Sequence, residues 1–146
     1  MDKIDHRILM ELQDNARLTL AELGRRVGLS SPAVSERVQR LEADDVITGY
    51  HATVDTAKLG RPLQAVLHMQ VDRARFQKSV DQIQAMPGVL VCHRTTGSSS
   101  LVMIVAVASM EALEALIDRL LPFGEPITQL VLSTPLPRRS VAPSSS

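Results

Sequence analysis

The residues with the clearest chemical potential are five arginines between positions 17 and 40, in a chain whose formal net charge is zero. They are Arg17, Arg25, Arg26, Arg37 and Arg40, and Glu22 and Glu36 oppose them, so five minus two leaves a local excess of three positive charges. Guanidinium groups neutralise phosphates and release counterions from duplex DNA. The segment is therefore a candidate DNA surface, although the whole chain has no general attraction to polyanions.

The elements that must position these arginines are short helices. Apolar residues recur at three- and four-residue spacing over the first third of the chain, which predicts three of them. Thr19 and Glu22 have capping-box spacing, and Gly28 is typical of the residue that ends a helix. Ser31 and Pro32 are predicted to begin the third helix, as N-cap and first-turn proline. The short connection between the last two helices has the spacing of a helix-turn-helix.

The second helix of such a motif enters the major groove, so the third predicted helix carries the predicted base contacts. Short polar side chains suit base edges, Ala33 suits a thymine methyl, and Arg37 and Arg40 are better phosphate contacts. The predicted DNA-binding residues are Arg25, Ser30, Ser31, Pro32, Ala33, Ser35, Glu36, Arg37, Gln39 and Arg40. The alternative, an ordinary solvated helix surface, is disfavoured by the turn spacing, by both caps and by the wing that is predicted to follow.

A β-rich stretch with a bend at Gly49 follows, and it predicts a short hairpin wing over residues 46–55. The wing completes a predicted winged helix-turn-helix domain over residues 1–55. Gly60 and Pro62 indicate a linker over residues 56–62.

Residues 63–136 alternate strand and helix patterns in the order β-α-β-β-α-β, which predicts an α+β fold with a ferredoxin-like sandwich. Residues 101–108 contain no polar side chain, whereas the helices of such a sandwich cover only one face of the sheet. A second copy of the chain is therefore predicted to cover the other face, the alternative being a strand buried in a monomer core. Residues 137–146, rich in Pro and Ser, are predicted to form a flexible tail.

No residue constellation supports catalysis or a cofactor. Cys92 and His93 are adjacent but lack further metal-ligating partners at suitable spacing, and a lone cysteine excludes an intramolecular disulfide. Nucleophile-elbow, HExxH and phosphate-loop patterns are absent from the sequence. With no leader pattern and no apolar run long enough to cross a bilayer, a cytoplasmic protein that is not an enzyme and binds no membrane, metal or cofactor is expected.

The N-terminal motifs together resemble the Lrp/AsnC family of transcriptional regulators. The resemblance runs through DHRILMELQDNAR (5–17), ELGRRVGLS (22–30), ERVQRLE (36–42) and the wing-like VITGY (46–50). With the strand order of the second half, it covers about residues 1–136. It implies dimers that pair through their sheets and often assemble further, commonly to octamers.

The resemblance also implies an amino-acid effector near the turn between the second and third strands. Members of the family usually have the sequence Gly-Asp-(Phe/Tyr)-Asp-(Tyr/Phe) at that turn, whereas this chain has three serines after the glycine. An aspartate pairs with an ammonium group, and serines offer only neutral hydrogen bonds. Amino-acid affinity is therefore weakened, redirected to another ligand or absent; an anion-binding nest and a plain turn are both compatible with the residues. The predicted ligand-binding residues are Thr96, Gly97, Ser98, Ser99 and Ser100.

The sequence as a whole predicts a sequence-specific, oligomeric DNA-binding regulator modulated by an amino acid or another small metabolite. Its predicted partners are double-stranded DNA, further copies of itself and the effector. The altered turn supports one alternative, an effector-independent architectural protein that bridges DNA. A second alternative, an enzyme on the ferredoxin-like half with the helix-turn-helix as an appendage, has no site to support it.

Overall fold

The computed structural model describes residues 1–142 and divides into two compact units. The helical unit comprises Met1–Thr53 with residues 136–142, and the sheet unit comprises Val54–Pro135. Residues 143–146, the end of the predicted tail, lie outside the described residues.

The helical unit contains the three predicted helices, α1 (Lys3–Asp14), α2 (Leu20–Val27) and α3 (Ser31–Ala43). Its core consists entirely of aliphatic side chains, as expected for a chain with 2% aromatic residues. The buried set is Ile8, Leu23, Val27, Val34, Val38 and Leu41.

Start and stop signals account for the helix bounds. The predicted capping box of α2 is confirmed, since Thr19 Oγ1 accepts a hydrogen bond from the Glu22 N–H at 3.2 Å and the Glu22 carboxylate accepts one from the Thr19 N–H at 3.1 Å. Gly28 ends α2 in the left-handed region, with φ of 80°. The start of α3 differs by one residue from the prediction, because Ser30 is the N-cap and Ser31 is already helical.

The structure corrects the predicted hairpin wing. Within the described chain, residues 46–55 contain no strand. The N–H groups of Val46 and Ile47 both donate to the Leu41 carbonyl, at 2.9 and 3.0 Å, so the segment begins by folding back onto the end of α3. The Tyr50 hydroxyl then donates to the Glu42 carboxylate at 2.8 Å. These contacts anchor the segment to α3 and leave it without a pairing strand.

The predicted linker and tail also make specific contacts. Residues 56–60 form turns within the sheet unit, where Gln64 donates to the Thr56 hydroxyl at 2.9 Å. In the tail, the Val141 N–H donates to Gln13 Oε1 at 2.8 Å, and Gln13 Nε2 donates to the Val141 carbonyl at 3.1 Å. The part of the tail that the structure describes is therefore held against α1.

The sheet unit confirms the ferredoxin-like order. Its elements are β1 (Leu63–Met69), α4 (Phe76–Gln84), β2 (Val89–Arg94), β3 (Leu101–Val107), α5 (Met110–Leu120) and β4 (Pro126–Leu130), with one 3-10 turn (Arg73–Arg75) before α4. The four strands are antiparallel in the order β2-β3-β1-β4. Strand β4 ends at Leu130, opposite Ala65, instead of at the predicted residue 136. Beyond that pair, the Val131 N–H still donates to the Gln64 carbonyl at 2.9 Å.

Alternation along the strands separates the two faces of the sheet. The inner face of β1 and β3 contributes Ala65, Leu67, Met69, Leu101, Met103 and Val105, which are buried with Ile83 of α4 and with Leu113, Leu116 and Leu120 of α5. The Ser109 hydroxyl caps α5 by accepting from the Ala112 N–H at 3.3 Å. Both helices therefore pack on one face and leave the other face uncovered.

The contact between the tail and α1 depends on the Gln13 amide. Replacing Gln13 by Ala removes both hydrogen bonds to Val141, so the Val141 amide proton is expected to exchange with solvent faster than in the wild type. Hydrogen exchange followed by NMR measures this rate. Gln13→Glu retains the acceptor and is expected to keep more protection than Gln13→Ala. Equal Val141 exchange rates in the wild type and Gln13→Ala would refute the contact.

Candidate nucleic-acid interface

The exposed face of α3 carries the residues predicted to contact bases. Val34, Val38 and Leu41 turn inward to the core. Pro32, Ser35, Glu36 and Gln39 follow the opposite side of the helix, where Ser35 is half-buried and the other three are exposed. The predicted residues Ser31 and Ala33 are half-buried at the start of the helix, and Ser30 and Arg25 are exposed beside it.

A buried carboxylate fixes α3 against α1. Asp5 is 1% exposed, and its carboxylate accepts from Arg37 Nη1 at 2.7 Å, from Arg40 Nη2 at 3.1 Å and from the Asp2 N–H at 2.9 Å. Arg37 Nη1 also donates to the Asp2 carboxylate at 2.7 Å. The Asp2 carboxylate in turn caps α1 by accepting from the N–H groups of Ile4 and Asp5. Asp2, Asp5, Arg37 and Arg40 together form one ion-paired group, the Asp5 cluster.

The cluster holds both carboxylates in the charged form. Burial raises the pKa of Asp5, but the Asp2 N–H and the Arg37 guanidinium lower it more, so its net pKa lies below the ordinary value. The Asp5 N–H and then Arg37 lower the pKa of Asp2 to about 2, against a smaller opposing effect of desolvation. Both groups are therefore ionised at neutral pH and bind the arginines as anions.

The arginines of this unit differ in what they contact. Arg26 pairs with Glu11 at 2.7 Å, and Arg7 donates to the carbonyls of Arg26 and Val27 at the end of α2. Arg25 is exposed and has no carboxylate within 4 Å among residues 1–142. The side chains of Arg37 and Arg40, the predicted phosphate contacts, are 25% and 56% exposed.

Sequence reasoning did not identify Asp2, Asp5 or Arg7 as functional. One signal was available, because Asp2 and Asp5 have the spacing of an N-cap and the third helical residue of a capping box. The reach of Arg37 and Arg40 to these carboxylates depends on how α1 and α3 pack, which no spacing along the chain encodes.

The turn of the motif requires glycine at position 24. The N–H groups of Gly28 and Leu29 both donate to the Gly24 carbonyl, at 2.8 and 2.9 Å. A Cβ on Gly24 would lie 2.6 Å from the Leu29 carbonyl oxygen, although the position is helical and tolerates other residues by its backbone angles. The chain can therefore leave α2 and enter α3 in few residues only if position 24 has no side chain.

The predicted effector turn lies beside a cleft of about 530 Å³ in the sheet unit. Gly97, with φ of 100°, and Ser100 line this cleft, whereas Thr96, Ser98 and Ser99 are not among its lining residues. The Ser100 hydroxyl accepts from the Val71 N–H at 2.8 Å, which attaches the turn to the end of β1. Sequence reasoning missed Arg73, Phe76 and Arg94, which also line the cleft.

Among residues 1–142, no group of three His, Cys, Asp or Glu side chains is placed to hold a metal ion. In the same part of the chain, no helix has the length and apolarity needed to span a membrane.

Two family models match the two units. The first, described as an AsnC-type helix-turn-helix domain, matches residues 1–42, and the second, described as an Lrp/AsnC ligand binding domain, matches residues 64–141.

Known regulators are similar over nearly the whole chain. The HTH-type transcriptional regulator LrpC of Bacillus subtilis is 34% identical over 133 residues, which are 91% of this chain and 92% of LrpC. The solved structure of B. subtilis LrpC superposes with a TM-score of 0.90 over 94% of this chain and 99% of the other. The regulator NMB0573 of Neisseria meningitidis, solved as a complex with L-Met, has a TM-score of 0.91 at 26% identity and covers 97% of this chain and 96% of its own.

The Asp5 cluster predicts a pH-dependent stability. Asp5→Asn is expected to lower the free energy of unfolding at pH 7 by about 1.5 to 3 kcal/mol, the usual contribution of a hydrogen bond to a charged group. A carboxyl whose pKa is lowered on folding stabilises above its unfolded pKa, near 3.8, and loses that contribution as the pH falls through the folded pKa. The difference between wild type and variant is therefore expected to shrink below about pH 4.

Urea unfolding at several pH values between 7 and 2 measures this difference. Asp118→Asn, which changes an exposed carboxylate on α5, is the matched control and is expected to unfold like the wild type. A penalty for Asp5→Asn that stays constant down to pH 2 would show that the charge of Asp5 does not stabilise the fold.

The turn geometry predicts that Gly24→Ala destabilises the protein. On helix propensity alone, Ala in place of a helical Gly stabilises by about 1 kcal/mol. The clash with the Leu29 carbonyl is expected to reverse that sign, and thermal unfolding monitored by circular dichroism measures the change. Ala21→Gly, at an exposed position of the same helix, reports the propensity effect without the clash. A Gly24→Ala variant more stable than the wild type would contradict the assigned turn.

Proposed function

The chain belongs to the Lrp/AsnC family of transcriptional regulators, and from that premise we propose that α3 reads duplex DNA in the major groove. The observation that carries the proposal is the polar, solvent-facing side of α3, opposite its buried residues. Gln39 is the amide side chain on that side and suits a bidentate contact to adenine. Ser30, Ser31, Pro32, Ala33, Ser35 and Glu36 complete the proposed base-facing surface.

We assign the phosphate contacts unequally among the arginines. Arg25 has no carboxylate partner within the described chain, and Arg40 presents most of its side chain to solvent, so both are available to phosphates. Arg37 is also a proposed contact, but its main role is to hold α1 against α3 through Asp2 and Asp5. The DNA-binding domain in this proposal is residues 1–55, and residues 63–136 bind the effector and assemble the oligomer.

The uncovered sheet face supports assembly with further copies of the chain. By register, its side chains are Gln64, Val66, His68, Val91, His93, Val102, Ile104, Ala106, Ile127 and Gln129, and none of these is Lys, Arg, Asp or Glu. Ile104 and Ile127 are 37% and 64% exposed. Six of the ten side chains are aliphatic, and such a face without acidic or basic side chains other than histidine favours an interface. We propose a homodimer through this face, with dimers associating further, up to an octamer.

A small effector modulates DNA binding in this proposal, and the protein acts in the cytoplasm without catalytic activity. The relative from N. meningitidis, solved with L-Met, supports an amino acid as the class to test first. The serine turn supports the alternative of an architectural protein that bridges DNA with no effector. Footprints that stay identical with each of the twenty amino acids present would favour that alternative.

Substitutions on α3 and α2 test the mode of DNA binding. Gln39→Ala is expected to weaken binding to a selected duplex by about 1 to 3 kcal/mol while binding to random duplex changes little. Arg25→Gln is expected to weaken both and to reduce the slope of log K against log salt by about one. Fluorescence anisotropy with a duplex enriched from a random pool provides both values.

Arg119→Gln on α5 removes the same charge outside the proposed surface and is expected to behave as the wild type. If Gln39→Ala and Arg25→Gln both bind like Arg119→Gln, then α3 does not read DNA as proposed.

The dimer face is tested by placing a charge at its centre. Ile104→Asp is expected to shift the protein toward monomers, because burying an unpaired carboxylate between two sheets is costly. Leu121→Asp makes the same change at an exposed apolar residue after α5 and is expected to leave the assembly intact. Sedimentation velocity measures the mass distribution of each variant. An Ile104→Asp protein with the wild-type mass would place the interface elsewhere.

A further inference from the structure

The cleft beside the effector turn carries positive charge that no acidic side chain balances. It lies where β1 and β2 end on either side of β3, at the same edge of the sheet. Its lining residues are Gln70, Val71, Arg73, Phe76, Gln77, Arg94, Thr95, Gly97 and Ser100. Two of them are arginines, and none is Asp or Glu. Arg73 begins the 3-10 turn that follows β1, and Arg94 is the last residue of β2.

Both guanidinium groups are available to a ligand. The Arg94 guanidinium carbon lies 4.6 Å from the centroid of the Phe76 ring, a cation–π contact that orients the group and leaves its N–H donors unused. Within the described chain, neither Arg73 nor Arg94 has a carboxylate within 4 Å.

The neutral polar groups of the cleft are largely engaged within the protein. The Thr95 hydroxyl donates to the Ser99 carbonyl at 2.7 Å, and the Ser100 hydroxyl accepts from the Val71 N–H. Gln77 donates to Asp81 at 2.9 Å. The strongest unused donors that face the cleft are therefore the two guanidinium groups.

We propose that this cleft binds a small dianion, with Arg73 and Arg94 each binding one carboxylate or phosphate group. Arginine forms charge-assisted, often bidentate hydrogen bonds to both kinds of group. A zwitterionic amino acid with a neutral side chain is disfavoured, because its ammonium group would meet two cations and no carboxylate. The proposal rests on the proposed function in treating this cleft as the effector site, and it changes the class of effector.

Calorimetric titration of the full-length protein with defined probes tests the ligand class. Succinate supplies two carboxylates, inorganic phosphate supplies the phosphate chemistry, and acetate and leucine supply a monoanion and a zwitterion, all at constant ionic strength. Succinate or phosphate is expected to bind more tightly than acetate and leucine, and the better of the two identifies the chemistry. Leucine binding more tightly than both dianions, or no binding by either dianion, would overturn the proposal.

Substitutions locate the binding and separate it from general charge effects. Arg73→Gln and Arg94→Gln are each expected to weaken dianion binding by about tenfold to one-hundredfold, as expected for one charged hydrogen-bonding partner. Arg119→Gln, with the same charge change on α5, is expected to bind like the wild type. An equal loss in Arg119→Gln, or no loss in either cleft variant, would place the anion elsewhere.

Two further measurements keep the outcomes distinct. Circular dichroism establishes that each variant is folded, and a third variant, Arg94→Lys, retains the charge while losing the planar fork, so intermediate affinity is expected from it. DNA binding of the wild type is measured separately without any dianion. Dianion binding without DNA binding would support the proposed dianion site and refute the proposed DNA-binding function. DNA binding without dianion binding would refute only the proposed dianion site.

Discussion

The helical unit depends on one buried carboxylate, that of Asp5. The surrounding core is small and aliphatic, and non-directional packing of such side chains permits neighbouring helix rotations at little cost. A buried charge does not permit them, because losing one of its donors leaves it unsatisfied. The donors of Asp5 come from Arg37 and Arg40 of α3 and from the backbone at the start of α1. Satisfying Asp5 therefore selects one rotation of α3, and that rotation determines which α3 side chains face solvent.

The same cluster separates two roles that arginines play in a DNA-binding unit. Arg37 uses one nitrogen to bind both carboxylates, and most of its side chain is shielded from solvent, so its charge is largely neutralised within the fold. Arg40 gives only its Nη2 to Asp5 and remains more than half exposed, which leaves donors of its guanidinium for a phosphate. A phosphate bound to Arg40 would lie on the solvent side of its guanidinium, which Asp5 already orients from the protein side. The local excess of basic residues is thus larger than the number of guanidinium groups that are free to bind phosphate. The orientation that Asp5 gives to Arg40 compensates for this smaller number.

Sequence periodicity was sufficient for the three helices and the β-α-β-β-α-β order, because both are written in the local spacing of apolar side chains. Thr19, Glu22 and Gly28 fixed the ends of α2 for the same reason, since caps act within one turn. The prediction of a hairpin wing was wrong because a β-rich composition specifies a strand only where a partner strand exists. The chain after Leu41 instead folds back onto the helix that precedes it. The burial of Asp5 could not be foreseen, since a carboxylate is buried only when tertiary structure supplies donors. The cleft arginines were missed because they meet only when β1 and β2 end at the same edge.

The sheet unit places its proposed ligand site and its proposed interface on the two faces of one edge strand. By register, Arg94 pairs with Leu101 and lies on the inner face of β2, whereas its neighbour His93 pairs with Val102 on the uncovered face. A dianion that fixes Arg94 would therefore restrict the end of the strand whose opposite side belongs to the proposed interface. An effector alters assembly only if it binds the assembled and free forms with different affinity, and reciprocity then requires assembly to change effector affinity by the same factor. Strand β2 is the element through which such a difference can arise, because a shift of its backbone moves both faces together.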